Sequence, residues 1–132
     1  MAQSAERAAV AVLIPLPIFY PPAARGDQGL EIPGEEFDKT AKEITEALQE
    51  GAVTWRFPAG DPKGFWWDKG FVDRDVLGLV EFDMEDTPTE NRAWVRKDAK
   101  DVLLQRFRQK AIYVRFIWPM WRLEVDDEHI SE

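Results

Sequence analysis

Between Trp55 and Asp75 the sequence gathers three indoles, Trp55, Trp66 and Trp67, with Asp68, Asp73, Arg74 and Asp75. Indole rings beside carboxylates can hold a flat or cationic ligand, the ring by stacking and the acid by neutralising charge. Apolar walls can also raise a carboxylate pKa into the range of general acid–base work. The same residues have a plainer use. In an extended chain Trp66 and Trp67 point to opposite sides, one into the core and one into an interface, while Asp68 and Asp73 serve turns. We expect no catalytic residue here. If a ligand binds, the expected set is Trp55, Trp66, Trp67, Asp68, Asp73 and Asp75.

Other chemistries find less support. The chain has no cysteine, which excludes disulfides, thiol catalysis and cysteine-ligated metals. Asp73 and Asp75 have D-x-D spacing but lack the glycine and terminal glutamate of a calcium loop. The single histidine, His129, sits among Asp126, Asp127 and Glu128 near the end of the chain, where we expect it to be solvated. No phosphate-binding glycine loop is present, so neither a cofactor nor a metal is expected.

The net charge is −8, unevenly divided. Arg92 to Arg122 holds nine basic and two acidic residues, +7, which leaves −15 for the rest. That stretch interleaves Trp94, Phe107, Tyr113, Phe116, Trp118 and Trp121 with its cations, a pattern of RNA-binding sheets. The overall charge opposes binding to a polyanion, and the expectation is a basic helix face balancing acidic neighbours.

These residues need elements to position them. The chain has 132 residues, 45% hydrophobic and 32% charged, the size and composition of one globular domain. Residues 8–118 are the expected ordered core and 119–132 a partly flexible tail. Ala8 to Ile14 reads as a buried strand. Its apolar run is too short and too proline-broken for a secretion signal or a membrane span, so a cytoplasmic protein is expected. Pro15 and Pro17 remove two amide donors on one side, which should take that end to an edge or out of the sheet. Phe37, Ala41, Ile44 and Leu48 form one helical stripe, with Gly51 as the expected C-terminal stop. Val53–Phe57 and Val76–Phe82 read as strands, joined by a turn-rich connection from Pro58 to Gly64, the aromatic loop of Phe65, Trp66 and Trp67, and an Asp68-Lys69-Gly70 turn. Met84 to Asn91, which includes Glu85 and Asp86, reads as an acidic loop. A second helix over 92–109 buries Val95, Ala99, Val102, Leu103 and Phe107. Ala111–Ile117 is the last strand, stopped by Pro119.

The order β-α-β-β-α-β predicts an α+β, ferredoxin-like domain: a four-stranded antiparallel sheet with two helices on one face. The run Gly64 to Gly70, the Asp73-Arg74-Asp75 start of a strand and Arg106 to Gln109 resemble small uncharacterised bacterial single-domain proteins with an α/β-plait fold. The resemblance covers about residues 36–117. It implies that fold and no established activity, so it assigns no site residue.

In a two-layer domain each strand should alternate apolar and polar residues. Here Val10, Val12 and Ile14 oppose Ala9, Ala11 and Leu13, and Ile112, Val114 and Phe116 oppose Tyr113 and Ile117. The second set predicts a covered sheet face, by a second copy or by a folded-back tail. We therefore expect a homodimer, with Tyr113, Trp118 and Trp121 at its interface. The functional expectation is a non-catalytic, self-associating domain that binds a partner or small ligand. A small enzyme or ligand-sequestering protein using the Trp/Asp residues is the alternative, and a nucleic-acid accessory module the third.

Overall fold

The computed structural model describes residues 7–24, 27–56, 62–85, 90–123 and 125. The expected end of the second strand at Phe57, the acidic Asp86 and the terminal stretch with His129 lie outside the described residues. The elements run β1 (Arg7–Pro17), α1 (Gly34–Leu48), β2 (Ala52–Trp55), β3 (Lys63–Asp68), β4 (Phe71–Met84), α2 (Glu90–Asp98) and β5 (Arg115–Arg122). After Asp98 the second helix continues as a π-helical segment, Ala99–Leu103, and a closing turn, Leu104–Arg106. The sheet path is β2-β4-β1-β5, every pair antiparallel, and β3 joins the first half of β4.

The domain is α+β, as expected, but its sheet has five strands, not four. The strand missing from the sequence reading is β3, formed by the aromatic run read as loop. Lys69 (φ 49°) and Gly70 (φ 90°) link it to β4. Two successive positive φ values make the tight two-residue turn whose twist matches paired strands. Phe65, Trp66 and Trp67 therefore face Arg74, Asp73 and Val72 across a ladder.

At Pro15 and Pro17 β1 is paired on one side only, because its pairing with β5 ends at Leu13, so that end is a local edge, as expected. The two prolines pair in register with Leu79 and Leu77 of β4. The Ile18 amide donates to the Val76 carbonyl at 2.9 Å, so even-numbered β1 amides point to β4 and odd-numbered ones to β5. The prolines thus cost no bond to β4. Their missing donors fall where β5 would pair with Ala111 and Tyr113. That explains why β5 pairing begins at Arg115 opposite Leu13, four residues later than the sequence suggested. At the other end, a register shift between Ala9 and Ala11 places Trp118 and Pro119 in a bulge. Pro119 therefore need not join the ladder, and the strand runs on to Arg122 instead of stopping.

One face of the sheet meets the helices. Val10, Val12, Ile14 and Leu16 of β1 and Val80, Phe82 and Met84 of β4 are buried there with Phe37 and Ile44 of α1. Pro33 precedes α1 and Glu35 and Glu36 occupy its first turn, at the positive end of its dipole. Its left-handed terminal residue is Gln49 (φ 56°), not Gly51 as expected, and the Gln49 amide caps Thr45 at 2.9 Å.

The second helix supplies Val95, Ala99, Leu103 and Phe107, all buried. Their spacing is four residues each time, and an ideal α-helix drifts about 40° per such step, or about 120° over the three. The π segment widens the turn where that drift would carry Leu103 and Phe107 off the core. Leu103 is fully buried, whereas Leu48 only packs against the rim of the core. Leu103→Ala should cost about 2–5 kcal/mol and Leu48→Ala clearly less. Urea midpoints that rank them in the reverse order would contradict this packing.

Candidate ligand- and partner-binding face

The other face of the sheet carries the odd-numbered side chains of β1, β2, β4 and the first part of β5. The registers arrange them in rows. Arg115, Leu13, Glu81 and Val53 form one row from β5 to β2. Pro15, Leu79 and Trp55 form the next, with Tyr113 two residues along the chain from Arg115. Ile117, Ala11 and Asp83 form the row on the other side. Neither helix lies here. Residues 118–122 continue β5 along the sheet edge, so the described tail does not fold over this face. Val53, Trp55 and Ile117 stay between 42% and 47% exposed although they belong to the sheet, and Tyr113, just before β5, is 54% exposed.

Each indole on this face is tied to a carboxylate of β4. Trp55 Nε1 donates to Glu81 Oε1 at 2.9 Å, and Trp66 Nε1 donates to Asp75 Oδ2 at 2.8 Å. Trp66 leans on Tyr113, ring centroids 6.3 Å apart, and the Arg115 guanidinium sits 5.9 Å from the Tyr113 ring. A side chain at Gly64 would meet the Trp66 ring at 2.7 Å and Leu77 at 2.8 Å, so the missing Cβ is what lets this indole lie flat. Burial pushes the Asp75 carboxyl above its ordinary range, against the opposing Trp66 hydrogen bond, and the Asp73 charge adds to the rise. Asp83 is likewise raised by burial, and Glu81 and Glu50 add to the rise while Arg122 opposes it. Arg122 reaches across the end of the face to grip Glu50 with two bonds, 2.8 and 3.2 Å. A groove of about 460 Å³ lies between Leu13, Val53, Glu81, Asp83 and this ion pair.

The expected Trp/Asp set does not converge on one pocket. Trp66, Asp68, Asp73 and Asp75 share the open-face side of the β3–β4 ribbon. Trp67 points the opposite way, 76% exposed, beside Phe65 and Val72. The carboxylates that hold Trp55 and Trp66 are six residues apart on β4, about 20 Å along the strand. Of the expected interface residues, Tyr113 is on the open face. Trp118 lies in the bulge, and Trp121 pairs with Ala8, on the side shared by Val10 and Val12. The sequence reading missed Glu81, Asp83, Arg115 and Arg122. For Glu81, Asp83 and Arg115 the signal was the odd-numbered polar positions interrupting otherwise apolar strands; Arg122 is even-numbered and reaches the same side only through the bulge.

The basic stretch is dispersed rather than pooled. Arg106 and Arg122 are held by Glu43 and Glu50, and Arg92, Arg108 and Arg115 lie over Phe116, Tyr20 and Tyr113. Arg96, Lys97 and Lys100 are exposed on the second helix. Among the described residues no group of three acidic or histidine side chains stands close enough to hold a metal ion. No helix among them is long and apolar enough to cross a membrane. No protein-family model matches the chain, and no curated protein matches it.

Asp75 gives a prediction with a defined sign. Its folded pKa lies above the unfolded value, so its charge is a cost to the fold once the pH rises above the ordinary carboxylate range. Asp75→Asn removes that charge and keeps an oxygen for the Trp66 N–H. The variant should match or exceed the native melting temperature at pH 7, and its relative gain should vanish at pH 3. A variant that gains stability relative to the native chain on acidification would contradict the assignment.

Proposed function

We propose that the chain is a non-catalytic binding domain that associates with itself through the open face of its sheet. The observation that carries this is the exposure of Val53, Trp55, Tyr113 and Ile117 on a face that neither helix covers. Contiguous apolar surface of this kind marks association sites on small proteins. The carboxylates nearest the indoles, Glu81 and Asp75, already accept indole N–H groups, which supports a structural use for them over an acid–base one. The path β2-β4-β1-β5, with α1 and α2 in the two crossovers, supports reading the core as a ferredoxin-like unit to which the β3 ribbon is added. Multi-angle light scattering from about 1 to 200 μM tests the reading. The expected mass rises from one chain to two across that range; a single-chain mass throughout would contradict it.

A second reading, a small ligand on the same face, is favoured by the groove beside Asp83. A metabolite that binds only the folded chain would raise its melting temperature. Asp83→Ala should abolish that rise without lowering the unliganded midpoint by more than about 1 kcal/mol of stability.

A further inference from the structure

We infer that the occupant of the open face is a second copy of this chain, placed by a two-fold axis that runs parallel to the strands between β1 and β4. Arg115 of each copy then meets Glu81 of the partner subunit. The inference rests on the self-association reading and specifies its geometry.

The rows across the sheet select this arrangement. Two sheets packed face to face through a two-fold axis have two simple choices, the axis along the rows or along the strands. An axis along the Arg115–Leu13–Glu81–Val53 row lays each residue on its own copy. Arginine would face arginine, and glutamate would face glutamate, a like-charge repulsion that a dry interface does not screen. An axis along the strands reverses the row. Arg115 then lies over Val53 of the partner subunit, with Glu81 of the partner subunit one strand further in. Sheets pack about 10 Å apart and strands lie about 4.8 Å apart, a span that an arginine and a glutamate side chain bridge together. In the next row the same reversal lays Pro15 over Leu79 of the partner subunit and brings Tyr113 towards Trp55 of the partner subunit. Both choices would bury apolar surface, but only the strand-parallel axis pairs opposite charges.

The area fits a weak dimer. Four strands, over about 20 Å of their length, cover roughly 400 Å² per copy. The ribbon adds none in the same plane, because Trp66 on its outer strand leans on Tyr113 beside β5. Two copies bury on the order of 800 Å², the size of a weak, transient association.

Charge reversal tests the geometry by sedimentation equilibrium on the full chain. Arg115→Glu and Glu81→Arg should each weaken the dimer at least about tenfold, and the two combined should restore it to within about threefold. Circular dichroism checks that each variant folds. Should Glu81→Arg fail to fold, Arg115→Cys and Val53→Cys serve instead, since both sites are exposed and the chain has no other cysteine. Mixed, those two variants should form a cross-linked heterodimer with a short bismaleimide, and neither alone should. A native dimer that is indifferent to the reversals, or a mixture that does not cross-link, would overturn this axis and leave self-association standing. A native chain that stays monomeric to 200 μM would overturn both.

Discussion

Phe37→Ala is expected to cost about 3–5 kcal/mol, enough to unfold much of a domain of ordinary stability. Phe37 is fully buried where α1 crosses the sheet. Its ring meets the edge of Phe107 at a centroid distance of 5.2 Å and lies beneath the Arg56 guanidinium, also at 5.2 Å. Under it, Gly78 leaves β4 without a side chain. A Cβ there would come within 2.7 Å of the Phe37 ring and 2.8 Å of the Trp55 carbonyl. The backbone oxygen cannot swing aside, so Gly78→Ala should also destabilise, by about 1–3 kcal/mol through overpacking. In the double variant Phe37→Ala/Gly78→Ala the added methyl has space on the ring side. Its combined cost should therefore fall short of the sum of the two single costs. Urea denaturation of the three variants reads all of these values. Strict additivity would show that ring and glycine are not in contact.

Arg106→Leu is the second large loss, on the order of 2–4 kcal/mol. Arg106 lies between the two helices with only 9% of its side chain exposed. It holds Glu43 with two bonds of 2.8 and 2.7 Å and donates to the Thr40 hydroxyl at 3.0 Å. Thr40 is the buried polar residue of α1, and its hydroxyl donates a hydrogen bond to the Glu36 carbonyl. Glu36 faces the Arg106 Nε at 3.6 Å. Leucine would leave Glu43 beside the apolar helix interface without its cation. The Arg106 hydrogen bond holds the Glu43 carboxyl below its ordinary pKa of 4.5. Its contribution is therefore present above about pH 4.5 and lost as the pH falls through the lower folded value. Asp98, raised by burial and by the Glu43 charge, works in the opposite sense. The Arg106 charge opposes that rise, so the difference between native and variant carries its attraction to Asp98 as well as the Glu43 pairing, with the same sign. That difference should be largest at pH 7 and shrink by pH 2.5. A constant difference across that range would mean that the arginine acts through packing alone.

The elements that rest on local periodicity could be read from the sequence; those that rest on pairing could not. The four-residue spacing from Val95 to Phe107 announced a helix, although its mismatch with 3.6 residues per turn, which the π segment absorbs, is visible only once all four residues are known to share a core. The Asp68-Lys69-Gly70 turn is legible in the sequence, but the density of aromatics before it conceals that it closes a hairpin. Pro15 and Pro17 were correctly read as removing donors on one side. Which neighbour stood on that side depended on a register set by β4, sixty residues away. The same limit applied to the face. Trp66 and Trp67 announced opposite directions, but nothing local placed Arg115, Leu13, Glu81 and Val53 in one row.

Side-chain footprinting by a short hydroxyl-radical pulse, read by peptide mass spectrometry at 1 and 200 μM, tests the central claim most directly. Trp55 and Tyr113 lie on the proposed interface. Trp67, 76% exposed on the opposite side of the ribbon, serves as the internal control. At high concentration Trp55 and Tyr113 should lose at least half of their labelling while Trp67 keeps its own. Equal labelling of all three at both concentrations, or protection of Trp67 alone, would contradict an open sheet face that works by holding a second copy of the chain.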